Sequence, residues 1–148
     1  MRIIGCGTAE RGDDAAGLLV ARRLRELGVD ACEQSGEGLA LMEGWTGSDA
    51  VILIDAVVTG RPSGTVTVWD ASEAPVVADF CRCSTHAFGV AEAVQLARVL
   101  DRMPPRLLIY GIEGRQFDIG YPPSPEVVAA SEKLARSLAH RSGPALAP

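Results

Sequence analysis

Asp14, Asp55 and His86 are residues of types that do chemistry, and each falls at or just beyond the end of a predicted element of this 148-residue chain. Two carboxylates and an imidazole are hard-to-borderline donors suited to nickel or zinc. Three such donors leave coordination positions open for water or substrate. Without a resident metal the same trio has a second use. Two carboxylates in one cleft can share a proton, one acting as base toward water while the other donates, with the imidazole orienting or protonating the leaving group. Residue types alone leave both routes open.

Each residue also has a plain structural explanation. Asp55 closes the apolar run Val51-Ile52-Leu53-Ile54, where a carboxylate risks desolvation unless it is paired, hydrogen-bonded or bound to a cation. Its ordinary task there would be to cap the loop amides from Ala56 to Thr59. Asp13 and Asp14 open a helix, whose unpaired amides and dipole favour acids. One of them satisfies the cap and the other is surplus. His86 follows Ser84-Thr85 at another helix start, where the dipole disfavours an imidazolium and leaves the neutral, metal-binding ring. Short of chemistry it is a solvated or core-edge histidine.

The elements that must position these residues alternate between strand and helix patterns. A strand over Arg2 to Cys6 leads through a glycine-containing loop into a helix from about Asp14 to Leu27. Ala16, Val20, Leu24 and Leu27 share its inner face, and Gly28 stops it. A second strand covers Val29 to Glu33, and a short helix runs from Gly38 to Trp45. Val51 to Ile54 is apolar on both parities, as a central strand covered on both faces requires. Gly60 to Gly64 is a turn, after which Thr65 to Trp69 returns as an antiparallel strand.

Ala71 to Thr85 is irregular in pattern. A helix follows from His86 to about Asp101, with Val90, Val94, Ala97 and Leu100 inward, and Pro104-Pro105 ends it. Leu107 to Tyr110 is the last strand. Ser124-Pro125 opens a final helix whose inner face is Val127, Ser131, Leu134 and Leu138. The order predicts an α/β three-layer sandwich: a mostly parallel sheet of about five strands, one antiparallel, with helices on both faces. In such a sheet the loops leaving the carboxyl ends of the strands gather at one edge, where ligands bind.

Composition narrows the function classes. With 47% hydrophobic and 22% charged residues, residues 1–141 are expected to form one domain, with 142–148 a flexible Gly/Pro/Ala tail. Fourteen basic residues against 19 acidic ones, net −5, do not suit nucleic acid or an anionic membrane. The longest apolar stretch, Ala50 to Val58, is interrupted by Asp55 and is far shorter than the ~18 residues a membrane span needs. No export signal is visible, so a cytoplasmic monomer with reduced thiols at Cys6, Cys32, Cys81 and Cys83 is expected. Cys81-Arg82-Cys83 lacks a second ligand pair for a metal site. Gly5-Cys6-Gly7 lacks the third glycine of a dinucleotide loop, position 10 being Glu10, and no Gly-Lys-Ser/Thr ending marks a phosphate loop.

In order and spacing, these segments resemble the hydrogenase maturation protease family. Gly5-Cys6-Gly7-Thr8-Ala9-Glu10-Arg11-Gly12-Asp13-Asp14 is similar to its opening loop and acidic pair, and Ile54-Asp55-Ala56 to the end of its middle strand. Ser84-Thr85-His86-Ala87-Phe88-Gly89 is similar to its Ser-x-His-x-x-Gly segment, and Gly111-Ile112-Glu113 to its late Gly-Ile-Glu. Thr8, Glu10 and Gly114-Arg115 depart from the family pattern without removing a ligand position.

The resemblance implies an endopeptidase that removes the C-terminal extension of a nickel–iron hydrogenase large-subunit precursor after nickel insertion. It places the metal contacts on Asp14, Asp55 and His86. The nickel would arrive on the substrate, and zinc or cadmium could stand in for it in a crystal. Whether metal-bound water or an aspartate acting as base cleaves the bond stays open. A non-catalytic nickel-sensing chaperone and a small-peptide hydrolase with resident zinc are the competing functions.

Overall fold

A computed structural model describes residues 1–71 and 90–142, so His86 and the Cys81 and Cys83 pair lie outside the described residues. Strand β1 (Arg2–Cys6) runs through a loop and a 3-10 turn (Gly12–Ala15) into helix α1 (Ala16–Glu26). Strand β2 (Cys32–Gln34), helix α2 (Gly38–Trp45), strand β3 (Ala50–Val57) and strand β4 (Val66–Asp70) follow. Helix α3 (Val90–Val99), strand β5 (Arg106–Glu113) and helix α4 (Pro125–Ser142) complete the described chain.

The strands form one sheet in the order β2-β1-β3-β5-β4. β1, β2, β3 and β5 are mutually parallel, and β4 is antiparallel to β5. Helices cover both faces. Ile4, Cys6, Leu53, Val57, Trp69 and Ile109 pack against α2 and α3 on one side, and Ile3, Ile54, Tyr110 and Ile112 against α1 and α4 on the other. This is the expected three-layer sandwich with a five-stranded mixed sheet. No described helix is long and apolar enough to cross a membrane.

Several boundaries differ from the expectation, each for a non-local or capping reason. α1 ends in a Schellman motif: Gly28 has φ +85°, its N–H donates to Arg25 O at 3.1 Å, and Val29 N–H donates to Leu24 O at 2.9 Å. Val29 thus belongs to the helix cap, and β2 starts three residues later than its apolar pattern suggests. β3 does not end at Asp55. It pairs with β5 residue for residue from Ala50↔Arg106 to Val57↔Glu113, and a ladder of backbone bonds continues past a charged side chain. β5 accordingly extends beyond Tyr110 to Glu113.

β4 is the antiparallel strand, but its partner is β5, inserted between it and β3. The short turn therefore does not make a hairpin. Leu100 is half-exposed rather than inward, because α3 closes at Asp101 in the left-handed region (φ +55°), with Arg102 N–H donating to Ala97 O at 2.7 Å. That closure precedes Pro104 and does not need it.

Candidate functional site

The carboxyl edge of the parallel strands carries four buried acids: Asp13, Asp14, Asp55 and Glu113, none more than 3% exposed. Two of them are fully occupied in joining loops. Asp13 accepts from Arg115 N–H (2.8 Å) and Gln116 N–H (3.0 Å), and from both the N–H (2.6 Å) and hydroxyl (2.8 Å) of Ser124. Burial raises its pKa, but those backbone N–H groups and the hydroxyl outweigh it and hold the carboxyl below its ordinary value. Asp13 is therefore not a helix cap. Neither N-cap residue, Arg11 before the 3-10 turn or Ala15 before α1, makes a side-chain capping bond. The Ser124 hydroxyl likewise donates to Asp13.

Glu113 takes the Thr59 end of the capping expected of Asp55, which keeps the Ala56 end. It accepts from Thr59 N–H at 2.9 and 3.1 Å and from the Thr59 hydroxyl, fixing the loop after β3. Asp55 accepts from its own neighbour, Ala56 N–H, at 2.9 Å. It sits inside β3, fully buried, opposite Gly111.

Asp14 is carried to the same edge by close packing of glycines. A Cβ on Gly7 would stand 2.0 Å from Asp14 O, and one on Gly17 would stand 2.3 Å from Ile54 O and 2.4 Å from Cys6 O. Only glycine lets the start of α1 lie directly on β1 and β3 at the residue before Asp55. The glycine-rich opening is thus a packing device. Asp14 and Asp55 both act on one atom: burial pushes the Cys6 thiol well above its ordinary pKa, and Asp55, Cys32 and Asp14 push it further. Both effects favour the neutral thiol at Cys6.

Asp14 and Asp55 are thus both buried at this edge, and both lie near enough to Cys6 to act on its thiol. The third expected residue, His86, lies outside the described residues. Among the described residues no group of three His, Cys, Asp or Glu side chains is placed to hold an ion. The sequence pattern does not mark Asp13 and Glu113 as connectors. Glu113 carried the signal that marked Asp55, a carboxylate closing an apolar strand; Asp13 carried none that separated it from Asp14.

A family model described as hydrogenase maturation protease, HycI, matches residues 26–140. The chain belongs to the hydrogenase maturation protease family. Asp55 and His86 fall within the matched residues, and Asp14 precedes them. Among solved structures, the fold is shared with the NiFe hydrogenase maturation protease HybD from Thermococcus kodakarensis. That match has a TM-score of 0.75 and 26% identity, over 94% of this chain and 99% of that one. The hydrogenase maturating endopeptidase HybD from E. coli shares it with a TM-score of 0.72 and 22% identity, over 97% and 94% of the two chains. The hydrogenase expression/formation protein HupD of Thiocapsa roseopersicina is 25% identical over 121 residues, 78% of this chain. The chain spans 55% of the length of HupD.

Proposed function

We propose that this chain is the endopeptidase that removes the C-terminal extension of a nickel–iron hydrogenase large-subunit precursor once nickel is in place, acting in the cytoplasm. The observation that carries this reading is the match of residues 26–140 to the hydrogenase maturation protease model, and the buried carboxylates Asp14 and Asp55 at the carboxyl edge of the sheet support it.

In this reading nickel is cargo that arrives on the substrate, and Asp14, Asp55 and His86 contact it. Hydrolysis adds water across one peptide bond: a base takes the water's proton as its oxygen bonds to the carbonyl carbon, and the departing nitrogen takes up a proton. Either carboxylate can serve as that base.

The test is to mix wild type and Asp55→Ala separately with purified nickel-loaded and nickel-free precursor and to follow the mass of the large subunit. Wild type is expected to shorten only the nickel-loaded form, and Asp55→Ala to shorten neither. Binding without cleavage by wild type would make the protein a nickel-sensing chaperone, and cleavage of both forms would overturn nickel recognition.

A further inference from the structure

The amino ends of β1, β3 and β5 frame a concavity at the sheet edge opposite Asp14 and Asp55. It has a volume of about 180 Å³ and lies between the sheet and the C-terminal end of α4. Ile52, Leu108 and Leu138 give it an apolar wall, and Tyr110 and Arg141 line it beside them.

Two cations stand among these apolar side chains. Arg106 opens β5 and Arg141 lies in the last turn of α4, and both are exposed. Among the described residues no acid lines the cavity, although the chain carries 19 acidic residues. Neither guanidinium has an ion-pair partner among the described residues, whereas Arg22, Arg23, Arg25, Arg115 and Arg136 each have one. A cation in a last helical turn suits the helix dipole, which accounts for Arg141. Arg106 is on a strand and has no such reason.

Tyr110 supplies an independent sign. It is only 6% exposed, and its hydroxyl accepts from Arg141 Nη1 at 3.4 Å. Among the described residues that is the hydroxyl's one hydrogen bond, so its own O–H has no acceptor there. A buried donor left unused costs free energy that a bound acceptor would recover.

We propose that this cavity binds a small monocarboxylate with an apolar chain or ring. Arg106, Arg141 and the Tyr110 hydroxyl hold the carboxylate, and Ile52, Leu108 and Leu138 hold the body. A planar guanidinium matches the two oxygens of a carboxylate, and the unused phenol hydrogen completes the set of donors. An apolar cavity of about 150 Å³ admits a benzene ring, so this one has room for a single ring or a short acyl chain. None of these residues belongs to the proposed protease site, so the two readings can fail separately.

The experiment titrates octanoate, octan-1-ol and acetate into the full chain and reads NMR shifts and melting temperature. Octanoate is expected to bind saturably, to shift Leu108, Tyr110 and Leu138, and to raise the melting temperature, because a ligand held only by the folded state stabilises it. Octan-1-ol keeps the body without the charge, and acetate keeps the charge without the body. Each should bind at least about tenfold more weakly. The double variant Arg106→Gln with Arg141→Gln changes two exposed side chains and should melt like wild type. It should weaken octanoate at least about tenfold and leave octan-1-ol unchanged. Leu146→Ser, beyond the described residues, should bind octanoate like wild type.

Absence of saturable octanoate binding would overturn the proposal. Equal binding of octanoate and octan-1-ol by wild type would do the same, because the cavity would then be an apolar cleft with no carboxylate head site. Undiminished octanoate binding by a folded double variant would remove the arginines from it. If that variant unfolds, the comparison of the three ligands on wild type still decides. Octanoate binding gained only in Leu146→Ser would give the cavity to the chain's own segment 143–148 and overturn the proposal as well.

Discussion

Asp55 and Gly111 are register partners across β3 and β5, so a fully buried acid of the site faces a position that admits no side chain. A Cβ on Gly111 would stand 2.7 Å from Trp69 Cζ3 and 2.8 Å from both Val57 methyl carbons. Gly111→Ala must push Trp69 or the end of β3 aside, and is expected to cost about 1–3 kcal/mol. Urea unfolding measures it, and an unchanged midpoint would show that the sheet yields freely at this point.

Asp55 and Glu113 are expected to separate function from stability. Glu113→Ala leaves the Thr59 amide and hydroxyl without their acceptor, which should lower stability by about 1–3 kcal/mol. Asp55→Ala relieves the desolvation of a fully buried carboxylate, so it should unfold within about 1 kcal/mol of wild type yet lose precursor processing by about a hundredfold or more. Unfolding of Asp55→Ala in step with its loss of activity would return Asp55 to a structural role.

Asp13 predicts the acid limb of the stability curve. Its folded pKa lies below its unfolded value of about 3.9, so it stabilises fully above that value and the contribution is lost as pH falls through the lower, folded pKa. Asp13→Asn keeps the shape but cannot accept as a charged group. The stability gap between wild type and Asp13→Asn should therefore be widest near neutral pH and shrink below about pH 4. A gap constant with pH would mean the carboxylate's charge is not what joins the loops.

His86→Gln tests the third proposed contact. Gln retains a polar side chain but is a poor metal ligand and no acid or base near neutrality. The variant is expected to melt like wild type and leave nickel-loaded precursor uncut, with no rescue by nickel added to the protease alone. Full processing by His86→Gln would remove this residue from the site.

Local pattern was enough wherever one element's own residues decide its form. β1 and α2 match their expected spans, and Val127, Ser131, Leu134 and Leu138 are the buried stripe of α4, because periodicity and apolar burial act within a few residues of one another. The mixed α/β architecture followed from the alternation of such segments. The pattern also marked Asp55 and Asp14 as acids in unusual places. Tertiary structure alone decided which acids do structural work. Asp13 and Asp14 are indistinguishable in sequence, and only the arrival of Ser124 and Arg115, more than a hundred positions away, commits Asp13 to the loop junction. The same holds for β5 entering between β3 and β4, and for Glu113 reaching Thr59. Each depends on backbone groups brought together by chain closure, and a hydrogen bond across that separation leaves no trace in the composition or period of either segment.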